Sequence, residues 1–219
     1  MTTIAMAVPA AQAAKHFGTL MVGRFEGFPS LVRAVGAPAM PDFARRVHEM
    51  LDHYVRQYKG AVVQAKGDGI VALFTAGDGD DNHAARALGA AVAIRRAFAG
   101  EYMTVRTSVH SGYVTVPETL GIARGLGDAA GDNHIIASDQ TVGLAREQFE
   151  FESVGRHEVG GVGEVEVFDV LAVARNHAGK LSSYLHHELE PHADGEGGEG
   201  DSVARNFPVL GDIIQSVRR

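Results

Sequence analysis

Between Pro41 and Gly60 the apolar residues Phe43, Val47, Met50, Leu51, Tyr54 and Tyr58 recur every three or four positions, the spacing that gathers side chains on one face of an α-helix. Pro41 and Asp42 suit a helix start, where a missing N–H costs nothing and an acid meets the positive end of the dipole, and Gly60 suits the stop. A second stripe follows Asp80 or Asp81 as cap and comprises Ala84, Ala87, Leu88, Ala91, Val92 and Ile94. Its many alanines predict a helix packed close on its support. β-rich runs predict strands at Thr19 to Phe25, Ala61 to Ala65, Ile70 to Phe74, Thr104 to His110 and Glu164 to Leu171. Lys66-Gly67-Asp68-Gly69 joins two of these, and a Gly-Asp-Gly link between apolar runs is a hairpin signal because glycine accepts the positive φ of tight turns. Two helices on one face of an antiparallel sheet predict an α+β, ferredoxin-like fold.

Asp68 at the hairpin tip makes the turn and is also a candidate metal ligand. Three other segments bear on that choice: Gly23-Arg24-Phe25-Glu26-Gly27-Phe28-Pro29-Ser30-Leu31 ahead of it, Val105-Arg106-Thr107-Ser108-Val109-His110-Ser111-Gly112 after it, and the closing stretch from Phe151 to Leu171. In this order the four resemble the first strand and phosphate loop, the metal-bearing hairpin, the R-x-G-[IL]-H-x-G strand and the final strands of class III adenylate/guanylate cyclase catalytic domains. The resemblance runs from about Thr19 to Ala174 and implies that family's palm-type antiparallel sheet with helices packed on it.

What the resemblance implies for the site is mixed. The family holds two divalent metals, Mg or Mn, with one aspartate from the first strand and one from the hairpin, so that a triphosphate is neutralised and the ribose 3′-hydroxyl activated. Asp68 keeps the second position, whereas Arg24 stands in the first. A fixed cation about 4 Å from another charge costs about 4 kcal/mol per unit charge at an effective dielectric of 20. Glu26, two residues on, is the substitute ligand by strand alternation. Gly27, Phe28 and Ser30 fall in the phosphate loop, and Gln64 takes the place of the base-selecting lysine. Gly160 replaces a triphosphate-binding lysine, and Leu120-Gly121-Ile122-Ala123-Arg124 keeps, of the family's N-x-[AS]-x-R helix, the arginine, which makes Arg124 the candidate catalytic residue. Only Tyr113 to Thr119 separate Gly112 from that helix, too few for the paired strands that family dimers extend over a partner. The expected function is therefore a degenerate cyclase-like protein, a non-catalytic binding or regulatory module with weak nucleotide binding. The alternative is an active divergent cyclase making cAMP or cGMP with Mg or Mn.

Composition narrows the partners. With 219 residues, 45% of them apolar, the chain can bury one substantial core. A net charge of −7 argues against nucleic acid, whose backbone calls for a basic surface. The absence of cysteine excludes disulfides and thiolate metal sites and fits a reducing compartment, the cytoplasm. No run is long enough to span a bilayer. Residues 1–18 are expected to form a lead-in, 19–174 the domain, 175–193 a short helical extension and 194–201 a glycine-acid linker that cannot bury a core. In the final segment, 202–219, Phe207, Val209, Leu210, Ile213 and Ile214 form an apolar stretch suited to docking on the domain or on another protein chain. A homo-oligomer is compatible with this organisation.

Overall fold

The computed structural model describes residues 17–66, 69–75, 82–98, 103–114, 118–159 and 163–174. The lead-in before Phe17, Asp68, Gly160, the helical extension, the linker and the apolar end lie outside the described residues. The first described element is the strand Phe17–Glu26 (β1). Helix Phe28–Val35 (α1), a 3₁₀ turn Ala37–Ala39 and the long helix Met40–Gln57 (α2) follow. Next come Ala61–Lys66 (β2), Gly69–Thr75 (β3), helix His83–Ala97 (α3) and Thr104–Tyr113 (β4). The chain then forms Glu118–Ala129 (α4), Ile135–Ser138 (β5), Asp139–Ala145 (α5), Phe149–Val159 (β6) and Gly163–Val173 (β7).

All seven strands join one sheet in the order β2-β3-β1-β4-β5-β7-β6. The predicted antiparallel pairing holds everywhere except between β4 and β5, which run parallel. The helix α4 returns the chain to the end of the sheet from which β4 started, so the next strand must run the same way. Because β1 is central, both of its faces are covered. Met21 and Phe25 face α2 and α3 in the main core, whereas Leu20 and Val22 face α4 in a smaller one with Val71 and Ala123. This two-sided burial explains why β1 reads as an apolar run rather than an alternation.

The predicted stripe of α2 is buried at Phe43, Val47, Met50 and Leu51, with Tyr58 4% exposed just past the helix. In α3 all the predicted positions are buried, and Asn82, rather than a preceding aspartate, is the residue at its N-terminal boundary. The buried guanidinium of Arg86 on α3 donates to the Lys59 carbonyl at 2.9 Å and the Thr75 carbonyl at 2.6 Å. It thereby ties the end of α2 to the end of β3. At the same junction Gly60 leaves room for a ring, since a Cβ there would come within 2.4 Å of Phe74.

A chain of buried polar groups starts on the α3 side of β1, at Thr19. His83 Nδ1 lies 2.7 Å from Thr19 Oγ1, Thr19 lies 2.8 Å from Ser111 Oγ, and Ser111 lies 3.0 Å from Thr141 Oγ1. Thr141 lies 3.1 Å from Ser138 Oγ, which in turn is 3.0 Å from His110 Nδ1. Satisfied in this way, four hydroxyls and two imidazoles can be buried without the desolvation penalty of unpaired polar groups. They join α3, β1, β4 and α5 at the end of β5.

Candidate functional site

Four candidate residues, Glu26, Gly27, Phe28 and Ser30, lie where β1 ends. Gly27 takes φ 100°, ψ 6°, a left-handed conformation that glycine reaches without a Cβ clash. That bend stops β1 at Glu26 and starts α1, and the Gly27 carbonyl accepts from the N–H groups of Ser30 at 3.0 Å and Leu31 at 3.1 Å. Phe28 opens α1 and Pro29 occupies its first turn, where a missing donor is tolerated. The Ser30 hydroxyl accepts from Arg33 Nη2 at 3.0 Å. A tight turn from β1 into α1 is therefore formed, with the serine already engaged by its own helix.

Strand alternation places Arg24 on the α4 face of β1, and its register neighbours are Gly69 on β3 and Arg106 on β4. Its guanidinium turns to α4 and meets Asp128 at 3.2 Å. Arg106, directly across from Arg24, meets Asp132 at 2.7 Å in the turn after α4. Gln64 pairs with Val71 of the α4-side core, and its Oε1 accepts from Arg124 Nη2 at 3.4 Å. Arg124 and Asp128 are one turn apart on α4, so a single helix face reaches β2 and β1 together. Glu26 shares the face of Arg24 and stands opposite Thr104 at the strand end.

The energetics of these contacts are modest. Side-chain exposures of 48% and 71% for Arg24 and Asp128 put the pair in the class that contributes about 0–1 kcal/mol. Asp128 sits in the last turn of α4, the end at which the helix dipole disfavours an anion, and the guanidinium of Arg24 offsets that. Two arginines directly opposite on neighbouring strands repel, and Asp128 and Asp132 relieve this as well.

Of the sequence-predicted residues, the structure brings Gln64 and Arg124 together and sets Gly27, Phe28, Ser30 and Glu26 at the end of β1. The second metal candidate, Asp68, lies outside the described residues. Among the described residues no group of three or more His, Asp or Glu side chains is placed to hold a metal ion. The donor set expected for two divalent ions does not fit at the β1 position as it stands, because a cation, Arg24, takes the place of the expected aspartate and is paired with Asp128, which leaves Glu26 as the one carboxylate on that strand. Arg106, Asp128 and Asp132 were missed by the sequence reading. The signals available were Arg106 within the Val105 to Gly112 segment and the four-residue spacing of Arg124 and Asp128.

Away from these residues, His134 Nδ1 lies 2.6 Å from Asp169 Oδ2, with Asp169 buried and His134 half exposed. Burial lowers the pKa of His110, and the nearby charge of Asp139 opposes that shift.

No protein-family model and no curated protein matches the sequence. Solved structures do match in three dimensions. The guanylate cyclase domain of RhGC from Catenaria anguillulae, in complex with GTP, superposes with a TM-score of 0.66 at 20% identity, covering 73% of this chain and 98% of that one. The adenylyl cyclase CyaB from P. aeruginosa gives 0.64 at 18% identity over 73% and 96%, and the guanylyl cyclase Cya2 gives 0.65 at 16% identity over 74% and 95%. The chain thus has the fold of class III adenylyl and guanylyl cyclase catalytic domains.

Proposed function

We propose that this protein is a degenerate nucleotide-cyclase-like module that binds or regulates rather than catalyses cyclisation. The observation that supports this reading is Arg24. It stands where the family's first metal-binding aspartate is expected, and it is held toward α4 by Asp128 at 3.2 Å. Turning Arg24 away would leave Asp128 unpaired at the negative end of α4, and Glu26 is the one carboxylate on β1 to take the missing aspartate's place. Arg124, the retained arginine, is engaged by Gln64 of its own chain. Nucleotide is the first ligand to test, because the Catenaria domain was solved with GTP. The apolar stretch Phe207 to Ile214, tethered by the acidic linker, is proposed as the segment that captures another protein chain at raised effective concentration. The short Tyr113 to Thr119 connection predicts that any homodimer differs from the head-to-tail pairing implied by the resemblance.

The test is conversion of ATP and GTP by the purified full-length protein with manganese. The expected result is no cyclic nucleotide above a protein-free control. Product formation that disappears in Asp68→Ala would establish the active-cyclase alternative.

A further inference from the structure

The α4 face of β1 and β4 carries an arrangement that the cyclase-like reading does not require: two arginines in direct cross-strand register, Arg24 opposite Arg106. Like charges at this spacing destabilise a sheet unless something neutralises them. Here each has its own carboxylate. Asp128 takes Arg24 at 3.2 Å, and Asp132 takes Arg106 through Nη2 at 2.7 Å and Nε at 2.8 Å. Both carboxylates are more than half exposed, so neither pair is locked by burial. Arg124, on the same helix as Asp128, adds a third guanidinium on this side of the sheet through its contact with Gln64 at 3.4 Å.

Deepening the reading above, and resting on its placement of Arg24 where a metal ligand is expected, we infer that Arg24 and Arg106 form a metal-independent binding site for a phosphate-bearing anion. Asp128 and Asp132 occupy that site as internal stand-ins. Guanidinium groups are planar forks that bind phosphate oxygens in pairs, and a phosphate brings more charge to each fork than one carboxylate does. The exposed Arg–Asp pairs are cheap to open. Phosphate charge that the resemblance would assign to divalent metals is here met by protein cations already in position. Two side chains of opposite sign then compete with ligand, so affinity is held low and depends on salt.

The probe is inorganic tripolyphosphate, with ATP in parallel, titrated calorimetrically into the full chain in EDTA. A unit negative charge about 6 Å from the anion in water weakens binding about threefold. The D128N/D132N variant should therefore bind about tenfold more tightly than wild type, still in EDTA. Adding R24Q and R106Q to that variant should abolish the gain, and R24Q alone in the wild-type background should weaken binding. Near-ultraviolet circular dichroism confirms that each variant is folded. Tighter binding of ATP than of tripolyphosphate assigns the ligand as a nucleotide, and equal binding assigns the phosphate chain alone; either supports the site. An unchanged affinity in folded D128N/D132N, binding seen only after magnesium or manganese is added, or indifference to R24Q would overturn it. Cyclic product measured in the same samples with metal restored bears on the proposed function alone, so the two failures are distinguishable.

Discussion

Arg86 offers the sharpest test of how the site-bearing hairpin is held. It is 2% exposed and donates to the carbonyls of Lys59 at 2.9 Å and Thr75 at 2.6 Å, with a longer contact to Tyr58 at 3.4 Å. Arg86→Met keeps much of the aliphatic volume and removes the guanidinium. Two well-formed hydrogen bonds from a charged donor contribute about 1.5–3 kcal/mol each. Their loss strands two carbonyls, one beyond the C-terminus of α2, where the cation also meets the helix dipole. The better burial of a thioether returns a part of this, leaving an expected loss of about 3–5 kcal/mol. For a domain of this size the melting temperature should fall by about 6–20 °C. Urea unfolding followed by far-ultraviolet circular dichroism measures it, provided the m-value is unchanged. A loss below about 1 kcal/mol would refute the reasoning, because it would mean that the carbonyls find other partners at no cost.

Stability should also fall in acid: burial lowers the pKa of His110 and of His48 below the usual imidazole value, so the fold favours their neutral forms. The unfolded chain then takes up more protons below about pH 6.5, so this contribution is complete above that pH and is lost as pH falls toward the folded values; melting temperatures between pH 5 and 8 check it, and His110→Asn should flatten the slope. Gly60→Ala forces a methyl within 2.4 Å of the buried Phe74 ring and should cost about 1–3 kcal/mol by overpacking, read by the same urea titration. Thr141 Oγ1 donates to the Val109 carbonyl at 3.2 Å, so it accepts from Ser111 and Ser138; these in turn accept from Thr19 and His110, and Thr19 accepts from His83. Both imidazoles should therefore carry a proton on Nδ1, which nitrogen-15 shifts will show, and an Nδ1-unprotonated His83 would contradict this polarity.

Long periodic segments were legible in the sequence because one pattern settled each of them. The stripe from Phe43 to Tyr58 could only be a helix face, and the runs on either side of Lys66 could only be strands of a hairpin. The four-residue β5 was not legible from pattern, since Ile135, Ile136, Ala137 and Ser138 are all buried and leave no alternation to read. Glycine-rich α4 was placed through the resemblance rather than by its own weak stripe, because Gly125 and Gly127 serve close approaches to Val159 and Ser108 that only tertiary structure creates. In the candidate site, Arg24 stood out because it replaced an expected aspartate. Its partner Asp128 lies 104 residues away, and nothing local announces a pair closed by a helix crossing the sheet. Separation along the chain likewise hid Arg106 opposite Arg24, a fact of strand register.

The central claim is that an arginine has displaced two-metal chemistry from this fold. Calorimetric titration of the full chain with a non-hydrolysable ATP analogue, in manganese and again in EDTA, tests it most directly. The account predicts weak binding of similar affinity in both conditions, with Arg24→Ala weakening each equally. Binding at least tenfold tighter in manganese, and lost in Asp68→Ala, would contradict it and favour a metal-dependent cyclase.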